Sequence, residues 1–389
     1  MEQRLLASLS LVCFIFACNT GDDEVARDPG QPLPGLTATD LERFARGHAR
    51  FHAPFSPEDG LGPLFNEARC SSCHDLPVVG GTGAEVAVKA TRFTSPDACD
   101  LLVNEGGDNI QQRATAALLA HGISGEARPS SATELSVVTA PALFGLGLVE
   151  LIPAAEIASR ADPADADGDG ISGRAARLPD GRLGRFGRKA DSATLDDFVD
   201  TALRFELGLT TYRNPQEETV NGAPLPPDAD PAPDPEIDRL TLDLLADYVR
   251  FLAPPVRAVQ ESARDTVSQG ETLFHDLGCT VCHTPSMRTG VSEVAAFDRK
   301  TIHLYSDMLL HDMGPGLTGV CGLVASPTEY RTARLMGLRF RTQYLHDGSA
   351  GLLDEAITRH GGEAEQAREA YSRLNELGKR VLQRFLRSL

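Results

Sequence analysis

Apolar side chains recur at helical spacing along several stretches of this chain. In residues 39–51, 195–207 and 237–252 they occupy positions i, i+3 and i+4, which places them on one face of an α-helix. Residues 268–275 and 363–389 follow the same period. Alternating apolar and polar positions, the pattern of half-buried strands, are scarce. The pattern therefore predicts a mainly α protein with long loop insertions, in which each helix buries one face.

Proline-rich segments separate these helices. Residues 213–236 contain seven prolines and several aspartates, a composition typical of a solvated loop. Pro254 and Pro255 end the helix predicted over residues 237–252, because proline lacks the N–H that a helix interior needs. We place a domain boundary there, between an N-terminal domain of residues 39–255 and a C-terminal domain of residues 256–389. A chain of 389 residues is long enough to build two cores.

The first residues have the pattern of an export signal. Arg4 precedes an apolar run over residues 5–17, which is too short to span a bilayer as a helix. Cys18 follows a small residue, at the place where a lipoprotein signal is cleaved. We predict a signal peptide over residues 1–18, a flexible tether over residues 19–38, and a periplasmic protein anchored to the membrane by lipid on Cys18. Cleavage without lipidation would instead give a soluble periplasmic protein.

Two copies of the pentapeptide C-x-x-C-H lie roughly 200 residues apart. Two thiols at this spacing can each add to one vinyl group of the same porphyrin, and the adjacent imidazole then reaches the iron. Zinc-binding C-x-x-C arms normally lie only tens of residues apart, and a redox C-x-x-C does not require the histidine. The sequence therefore predicts two covalently bound haem c groups, one in each domain, with His74 and His283 as proximal iron ligands. The motif residues are Cys70, Cys73, His74, Cys279, Cys282 and His283.

The charge of the chain bears on its partners. The formal net charge is −18, and such a surface repels nucleic acids and anionic lipids. A protein with a basic patch is attracted to it. We therefore expect no nucleic acid, and we expect an electron-donor protein of the small cytochrome or cupredoxin type.

Two cysteines, Cys99 and Cys321, remain outside the signal and the haem motifs. In an oxidising compartment they can form a disulfide, and they can equally remain two buried thiols. The sequence leaves both alternatives open.

The sixth iron ligand decides whether a c-type haem only carries electrons or also binds a small molecule such as peroxide. No methionine lies between His74 and Met287, so the first haem has either a histidine ligand or an open site. The histidines near it in sequence are His48, His52 and His121. The C-terminal domain offers more candidates, among which periodicity does not choose. They are Met287, His303, Met308, His311, Met313, Met336, His346 and His360.

An acidic turn is a candidate cation site. Asp165, Asp167 and Asp169 alternate ahead of Gly170, the oxygen-donor arrangement that calcium uses. The glutamate that would end an EF-hand loop is missing, with Ala176 in its place. Calcium is therefore the second cofactor we consider, and an acidic surface turn is the alternative.

A second cluster lies in residues 305–314, where Asp307 and Asp312 flank His311. Carboxylates beside an imidazole can relay protons or hydrogen-bond the surroundings of a haem. A hydrogen-bonded structural turn would explain the same residues.

Taken together, these features resemble the bacterial di-haem oxidoreductases, which are distantly similar to di-haem cytochrome c peroxidases. The resemblance covers most of the mature chain. It rests on residues 65–74, 140–150, 184–190, 305–314, 344–348 and 359–364. The family implies two cytochrome c-like haem domains, with peroxide chemistry at the N-terminal haem and electron entry at the C-terminal one.

The resemblance also implies a ligand for the second haem. In the peroxidases the ligating methionine lies fourteen residues after the histidine of a Tyr-x-His-Asp-Gly segment. In this chain the residue fourteen positions after His346 is His360. By this resemblance His360 is the sixth ligand, and His346 supports the site without touching iron. Imidazole in place of a thioether lowers the reduction potential. Arg188 and Met336 stand where relatives tend to have tryptophan, so no aromatic relay between the haems is expected.

Two functions fit this sequence. A di-haem oxidoreductase would reduce hydrogen peroxide, or oxidise a periplasmic substrate, at the first haem while the second haem delivers electrons. Such an enzyme needs an open sixth site. A bis-His electron-transfer cytochrome would need none and would do no substrate chemistry. The missing first-domain methionine favours the enzyme.

Overall fold

The computed structural model describes residues 25–94 and 98–389. The predicted signal peptide and the Cys18 lipidation site lie outside these residues. Helices predominate in the described ranges, and none of those helices is both long and apolar enough to cross a bilayer. The α-helices are α1 (Ala38–His52), α2 (Ala116–Ala120), α3 (Leu146–Glu150), α4 (Ala154–Ala158), α5 (Leu195–Leu207), α6 (Arg239–Phe251), α7 (Arg264–Asp276), α8 (Leu353–Thr358), α9 (Glu365–Ser372) and α10 (Glu376–Leu386).

Local signals explain where these helices begin and end. Thr37 caps α1, because its hydroxyl accepts a hydrogen bond from the Asp40 N–H while the Asp40 carboxylate accepts one from the Thr37 N–H. Gly208 ends α5 in a left-handed conformation with φ of 68°, and a Cβ there would lie 2.0 Å from the Leu64 carbonyl oxygen. The apolar stripe at the C-terminus is divided into α9 and α10, because the Asn375 side chain caps a new helix.

Two hydrophobic clusters hold the helices together. In the first cluster α1 packs on α6, which also contacts α3 and α5. The rings of Phe51 and Tyr248 meet here with centroids 5.0 Å apart. This cluster also includes several buried side chains between Met287 and Leu309, on the C-terminal side of the domain boundary predicted at residue 255. The domain boundary stays a prediction. In the second cluster α7 packs on α10.

A sheet in the N-terminal region departs from the prediction that this region is mainly helical. The strands are β1 (Leu64–Phe65), β2 (Val86–Thr94), β3 (Ala98–Asp100), β4 (Asn109–Ile110), β5 (Arg113–Ala114), β6 (Glu134–Thr139), β7 (Met287–Arg288), β8 (Thr301–Ile302), β9 (Leu310–Asp312) and β10 (Glu329–Arg331). The long strand β2 pairs antiparallel with β3, β4 and β6. Its neighbouring residues Ala90 and Thr91 are both buried, although they point to opposite faces. Burial on both faces removes the alternation that would have revealed the strand.

The described part of the predicted tether is packed against the helices. Val25 and Leu33 are buried and belong to the first hydrophobic cluster. The Leu33 N–H donates to the carbonyl oxygen of Phe251 at the end of α6, over 2.8 Å. Residues 25–37 are therefore not a free linker, because their apolar side chains are part of a core.

A disulfide joins Cys99 on β3 to Cys321, so these residues pair rather than remain thiols. Their Cα atoms lie 5.8 Å apart, a usual distance for a disulfide. The crosslink spans 222 residues of chain. Closing so long a loop restricts the unfolded chain and thereby stabilises the fold.

Replacing both Cys99 and Cys321 with serine should lower the free energy of unfolding by about 2–5 kcal/mol. Urea denaturation followed by circular dichroism measures the change. Adding reductant to the wild-type protein is the control and should reproduce the loss. An unchanged denaturation midpoint in the double variant would contradict a stabilising crosslink.

Candidate functional site

Both C-x-x-C-H motifs line one large cavity. Its volume is about 1400 Å³, above the roughly 300–1,000 Å³ of ordinary small-molecule pockets. All six motif residues contribute to its wall. The cavity therefore brings together two segments that lie far apart in the sequence and has room for large cofactors.

The first motif presents two thiols and one imidazole to this cavity. Cys70 opens a short 3₁₀ turn, and the Nδ1–H of His74 donates to the Gly81 carbonyl oxygen over 3.0 Å. This bond leaves Nε2 as the coordinating atom. Burial lowers the pKa of His74, which favours the neutral imidazole that binds metals. Burial also raises the pKa of the Cys70 and Cys73 thiols to about 12.

The second motif repeats this geometry. Cys279 opens a 3₁₀ turn, and the Nδ1–H of His283 donates to the Tyr305 carbonyl oxygen over 3.0 Å. Burial, with a smaller contribution from His360, lowers the pKa of His283 to about 4. The second motif therefore also offers a neutral imidazole with its Nε2 available.

Two further histidines, His360 and His346, lie in the cavity wall. His360 follows α8, and its Nδ1–H donates to the Ala356 carbonyl oxygen over 2.7 Å, which leaves Nε2 available to a metal. His360 is near enough to His283 to lower its pKa electrostatically. His346 stacks on Tyr330 with ring centroids 4.6 Å apart, and burial lowers the pKa of His346 to about 4. The assignment of His360 as sixth ligand of the second haem stays a prediction.

The three histidines considered for the first haem do not line the cavity. On α1, the rings of His48 and His52 stack with centroids 6.4 Å apart, and His52 Nδ1 shares a hydrogen bond of 3.0 Å with the Ser71 hydroxyl. His121 is exposed and lies 2.9 Å from Asp228. The fold therefore brings none of these imidazoles to the cavity wall.

Sequence reasoning missed a half-buried glutamate on α5, Glu206. Glu206 lines the cavity, and its carboxylate accepts hydrogen bonds from the side-chain amides of Asn66 (2.9 Å) and Asn109 (3.2 Å). Burial raises the pKa of Glu206, and its charge adds to the effect of burial on the pKa of Cys73, so it lies beside the first motif. The sequence signal that could have indicated Glu206 is its position three residues after Leu203, which places it on the apolar side of α5. A carboxyl with a raised pKa in a cleft is a candidate proton donor.

His311 lies between two carboxylates beside the second motif. Its Nε2 is 2.8 Å from Asp307 Oδ2, and its Nδ1 is 2.6 Å from Glu363 Oε2 and 3.8 Å from Cys282 Sγ. Burial would lower the pKa of His311, but the contacts with Asp307, Cys282 and Glu363 raise it to about 12. The ring is therefore an imidazolium that donates from both nitrogens. Glu363, and not the sequence neighbour Asp312, supplies the second carboxylate.

The predicted calcium loop is an ordered surface turn. Carboxylate oxygens of Asp165, Asp167 and Asp169 lie within 4.8 Å of one another, and the last two residues are exposed. They also accept hydrogen bonds within the turn, such as that from the Ile171 N–H to Asp169 (2.8 Å). These bonds are those of an ordinary Asx turn, and the calcium site stays a prediction.

The donor set of the cavity is the one that haem requires. Each motif offers two thiols and one neutral imidazole to the same cavity. Residues 133–389 of the sequence match the family described as "Di-haem oxidoreductase, putative peroxidase". The chain belongs to this family. Membership confirms the predicted oxidoreductase class and haem as cofactor. The matched residues contain the second motif, and the first motif lies N-terminal to them.

Other comparisons find only distant likenesses. No curated protein matches the sequence. Hydrazine synthase from Kuenenia stuttgartiensis is 15% identical over 100% of both chains, with a TM-score of 0.40. The diheme peroxidase BthA from Burkholderia thailandensis is 15% identical over 94% of this chain and 89% of its own, with a TM-score of 0.43. A MauG-like protein associated with microbial copper homeostasis is 14% identical over 94% and 93%, with a TM-score of 0.40.

Proposed function

We propose that this di-haem oxidoreductase is a periplasmic c-type enzyme that reduces hydrogen peroxide at its first haem. The observation that carries the proposal is the shared cavity, whose wall contains both C-x-x-C-H motifs and Glu206. When bound, the haems would supply the iron redox chemistry that peroxide reduction needs. Oxidation of a periplasmic substrate at the same open site is the closest variant of this proposal.

Each motif would hold one haem by two thioether bonds and one imidazole–iron bond. The hydrogen bonds from His74 to Gly81 and from His283 to Tyr305 orient the two rings and increase their basicity. His360 would be a further ligand of the second iron. The first iron would keep an open site, which the positions of the three first-domain histidines away from the cavity support.

Glu206 would handle protons at the first haem. Reduction of peroxide to water consumes protons as well as electrons, so a group beside the substrate must deliver them. Because the pKa of Glu206 is raised, this carboxyl stays protonated to a higher pH than the carboxyl of an exposed glutamate does. The amides of Asn66 and Asn109 hold the carboxyl in place.

Replacing Glu206 with glutamine should lower kcat for peroxide reduction by about 10²–10⁴-fold, because the amide cannot exchange the proton. Stopped-flow kinetics with a reduced electron donor measures this, and the haem content should be unchanged. Glu126→Gln is the matched control, since Glu126 is also half-buried, with its pKa raised to about 7, but does not line the cavity. Equal rates in Glu206→Gln and wild-type protein would remove Glu206 from the reaction.

Electrons would enter at the second haem from a small cytochrome or cupredoxin. The net charge of −18 favours a donor with a basic patch. A lipid anchor on Cys18 would hold the enzyme at the periplasmic face of a membrane, near such donors.

Electron paramagnetic resonance of the purified protein, as isolated and after half-reduction, tests the proposal. We expect a high-spin ferric signal from the first haem in at least one of these states, and turnover of added peroxide. Two low-spin bis-His ferric signals as isolated, one remaining after half-reduction with an optical spectrum of a low-spin ferrous partner, and no turnover would reject the enzyme.

That result would favour the alternative function, a bis-His electron-transfer cytochrome. The observation in its favour is His346, a second neutral imidazole in the cavity wall that no other assignment uses as a ligand. Loss of one low-spin signal in His346→Ala would then identify the ligand.

A further inference from the structure

Four of the eight arginines in the cavity wall form a cluster between the two haem motifs. They are Arg188, Arg331, Arg334 and Arg341. All four side chains are partly accessible to solvent, and all four contribute to the cavity wall. They therefore direct a concentration of positive charge at whatever occupies the cavity.

None of these four guanidinium groups forms an ion pair with a carboxylate in the described residues. Arg188 donates to the carbonyl oxygen (2.7 Å) and hydroxyl (2.9 Å) of Thr139, and Arg341 makes a long bond of 3.5 Å to the same hydroxyl. Arg334 reaches only the Ala142 carbonyl oxygen, at 3.4 Å. Arg331 donates to backbone carbonyls and lies 3.5 Å from a methionine sulfur. Their hydrogen bonds leave the positive charges uncompensated.

Two of the donor atoms have no hydrogen-bond partner among the described residues. Arg334 Nη1 and Arg341 Nε are buried and make no hydrogen bond within the described part of the chain. A buried donor without an acceptor costs roughly 1–3 kcal/mol, and more when the group is charged. A protein with such an arrangement gains stability when an anion supplies the missing acceptors.

The arginines also repel one another. Burial lowers the pKa of Arg334 to about 9, and the charges of Arg331 and Arg341 contribute to that shift. Burial likewise lowers the pKa of Arg188 to about 9, with the same two neighbours contributing. Asp307 and Asp347 partly offset the charges of Arg331 and Arg188, but within the described residues neither carboxylate is hydrogen-bonded to these arginines. Part of the positive charge of the cluster is therefore left to the cavity.

The cluster lies between the elements that carry the two motifs. Thr139 and Ala142 flank Ala140, whose carbonyl oxygen accepts a hydrogen bond from Thr82 close to the first motif. Arg331 is near enough to Asp307, a partner of His311 beside the second motif, for that carboxylate to affect its pKa. Carboxyl groups carried by either haem could therefore reach the cluster.

We infer that these four arginines form a carboxylate-binding site that holds the haem propionates where the two haem sites meet. The inference rests on the proposed haem occupancy of the cavity and assigns a binding role to residues that the proposed peroxide chemistry does not use. Carboxylates match the bidentate geometry of guanidinium groups. A small organic anion from solution is the other source of the same chemistry.

The test uses the purified holoprotein and the variants Arg334→Met, Arg334→Lys and Arg339→Met. Arg339 is the matched control, because it comes from the same segment but lies over the Phe340 ring (4.3 Å) and does not line the cavity. Spectroelectrochemistry gives both midpoint potentials, and resonance Raman spectroscopy gives the propionate bending bands.

Arg334→Met should lower the midpoint potential of at least one haem, since a lost positive charge stabilises the ferric form, and should shift a propionate band. Arg334→Lys should retain most of the potential, and Arg339→Met should match the wild type. If Arg334→Met does not fold, Arg341→Met provides the same measurement.

Unchanged potentials and bands in a variant that holds two haems would overturn the inference. A wild-type potential that responds to added acetate at constant ionic strength, with unshifted propionate bands in Arg334→Met, would assign the site to a solution anion and overturn the propionate assignment. The peroxidase proposal is tested separately: shifted potentials and bands without peroxide turnover would keep this site and reject that activity.

Discussion

Replacing His360 with methionine is expected to raise the reduction potential of the C-terminal haem by more than about 0.1 V, a modest part of the roughly 0.8 V range over which axial ligands set haem potentials. Thioether ligation stabilises ferrous iron relative to imidazole ligation. The position supports this role, because His360 lies in the cavity wall near His283. Its Nδ1–H is held by the Ala356 carbonyl oxygen, so Nε2 is the nitrogen left for iron. Spectroelectrochemical titration of the holoprotein measures the shift.

His346→Met is the matched control for this substitution, since His346 also lines the cavity and also has a lowered pKa. It should leave the potential of the C-terminal haem close to the wild-type value. A low-spin spectrum and an unchanged potential in His360→Met would show that another group ligates this iron. The same shift appearing in His346→Met instead would identify that group.

Replacing His311 with glutamine is expected to destabilise the fold by about 3–5 kcal/mol, the usual cost of breaking a buried ion pair by removing one partner. The His311 side chain is only 4% exposed, and the carboxylates of Asp307 and Glu363 beside it are 3% and 9% exposed. Without the imidazolium, two buried carboxylates would face each other. Thermal and urea denaturation of the holoprotein measure the loss. His275→Gln is the control, because His275 is 76% exposed.

The contribution of His311 should depend on pH with a definite sign. Its folded pKa of about 12 lies above its ordinary value of 6.5, so the folded state holds the proton more tightly. The stabilisation is complete below the unfolded pKa and is lost as pH rises towards the folded pKa. The stability difference between wild type and His311→Gln should therefore shrink between about pH 7 and about pH 10. A difference that grows over this interval would contradict a charged imidazole.

Features that depend on neighbouring residues in the sequence could be predicted. The helix over residues 195–207 follows from its local apolar period and is found at those bounds. The C-x-x-C-H motifs follow from the chemistry of one porphyrin, and the family assignment confirms haem as the cofactor.

Features that depend on contacts between distant segments could not be predicted. The partner of Glu206 on β4 lies 97 residues away in sequence, and Glu363 is 52 residues from His311. The sheet around β2 was missed because burial of both faces hides the period of a strand. Nothing in the local sequence of an arginine tells whether its charge meets a carboxylate or an open cavity.

The sequence by itself determined the amphipathic helices and haem as the cofactor, because helical periodicity and the spacing of two thiols and a histidine are properties of a few consecutive residues. Only the tertiary structure decided that both motifs share one cavity and that Cys99 pairs with Cys321. It also decided that Glu206 and four arginines face that cavity while His48, His52 and His121 do not. Burial and electrostatic environment depend on how all the elements pack, and packing brings together residues that no local pattern connects.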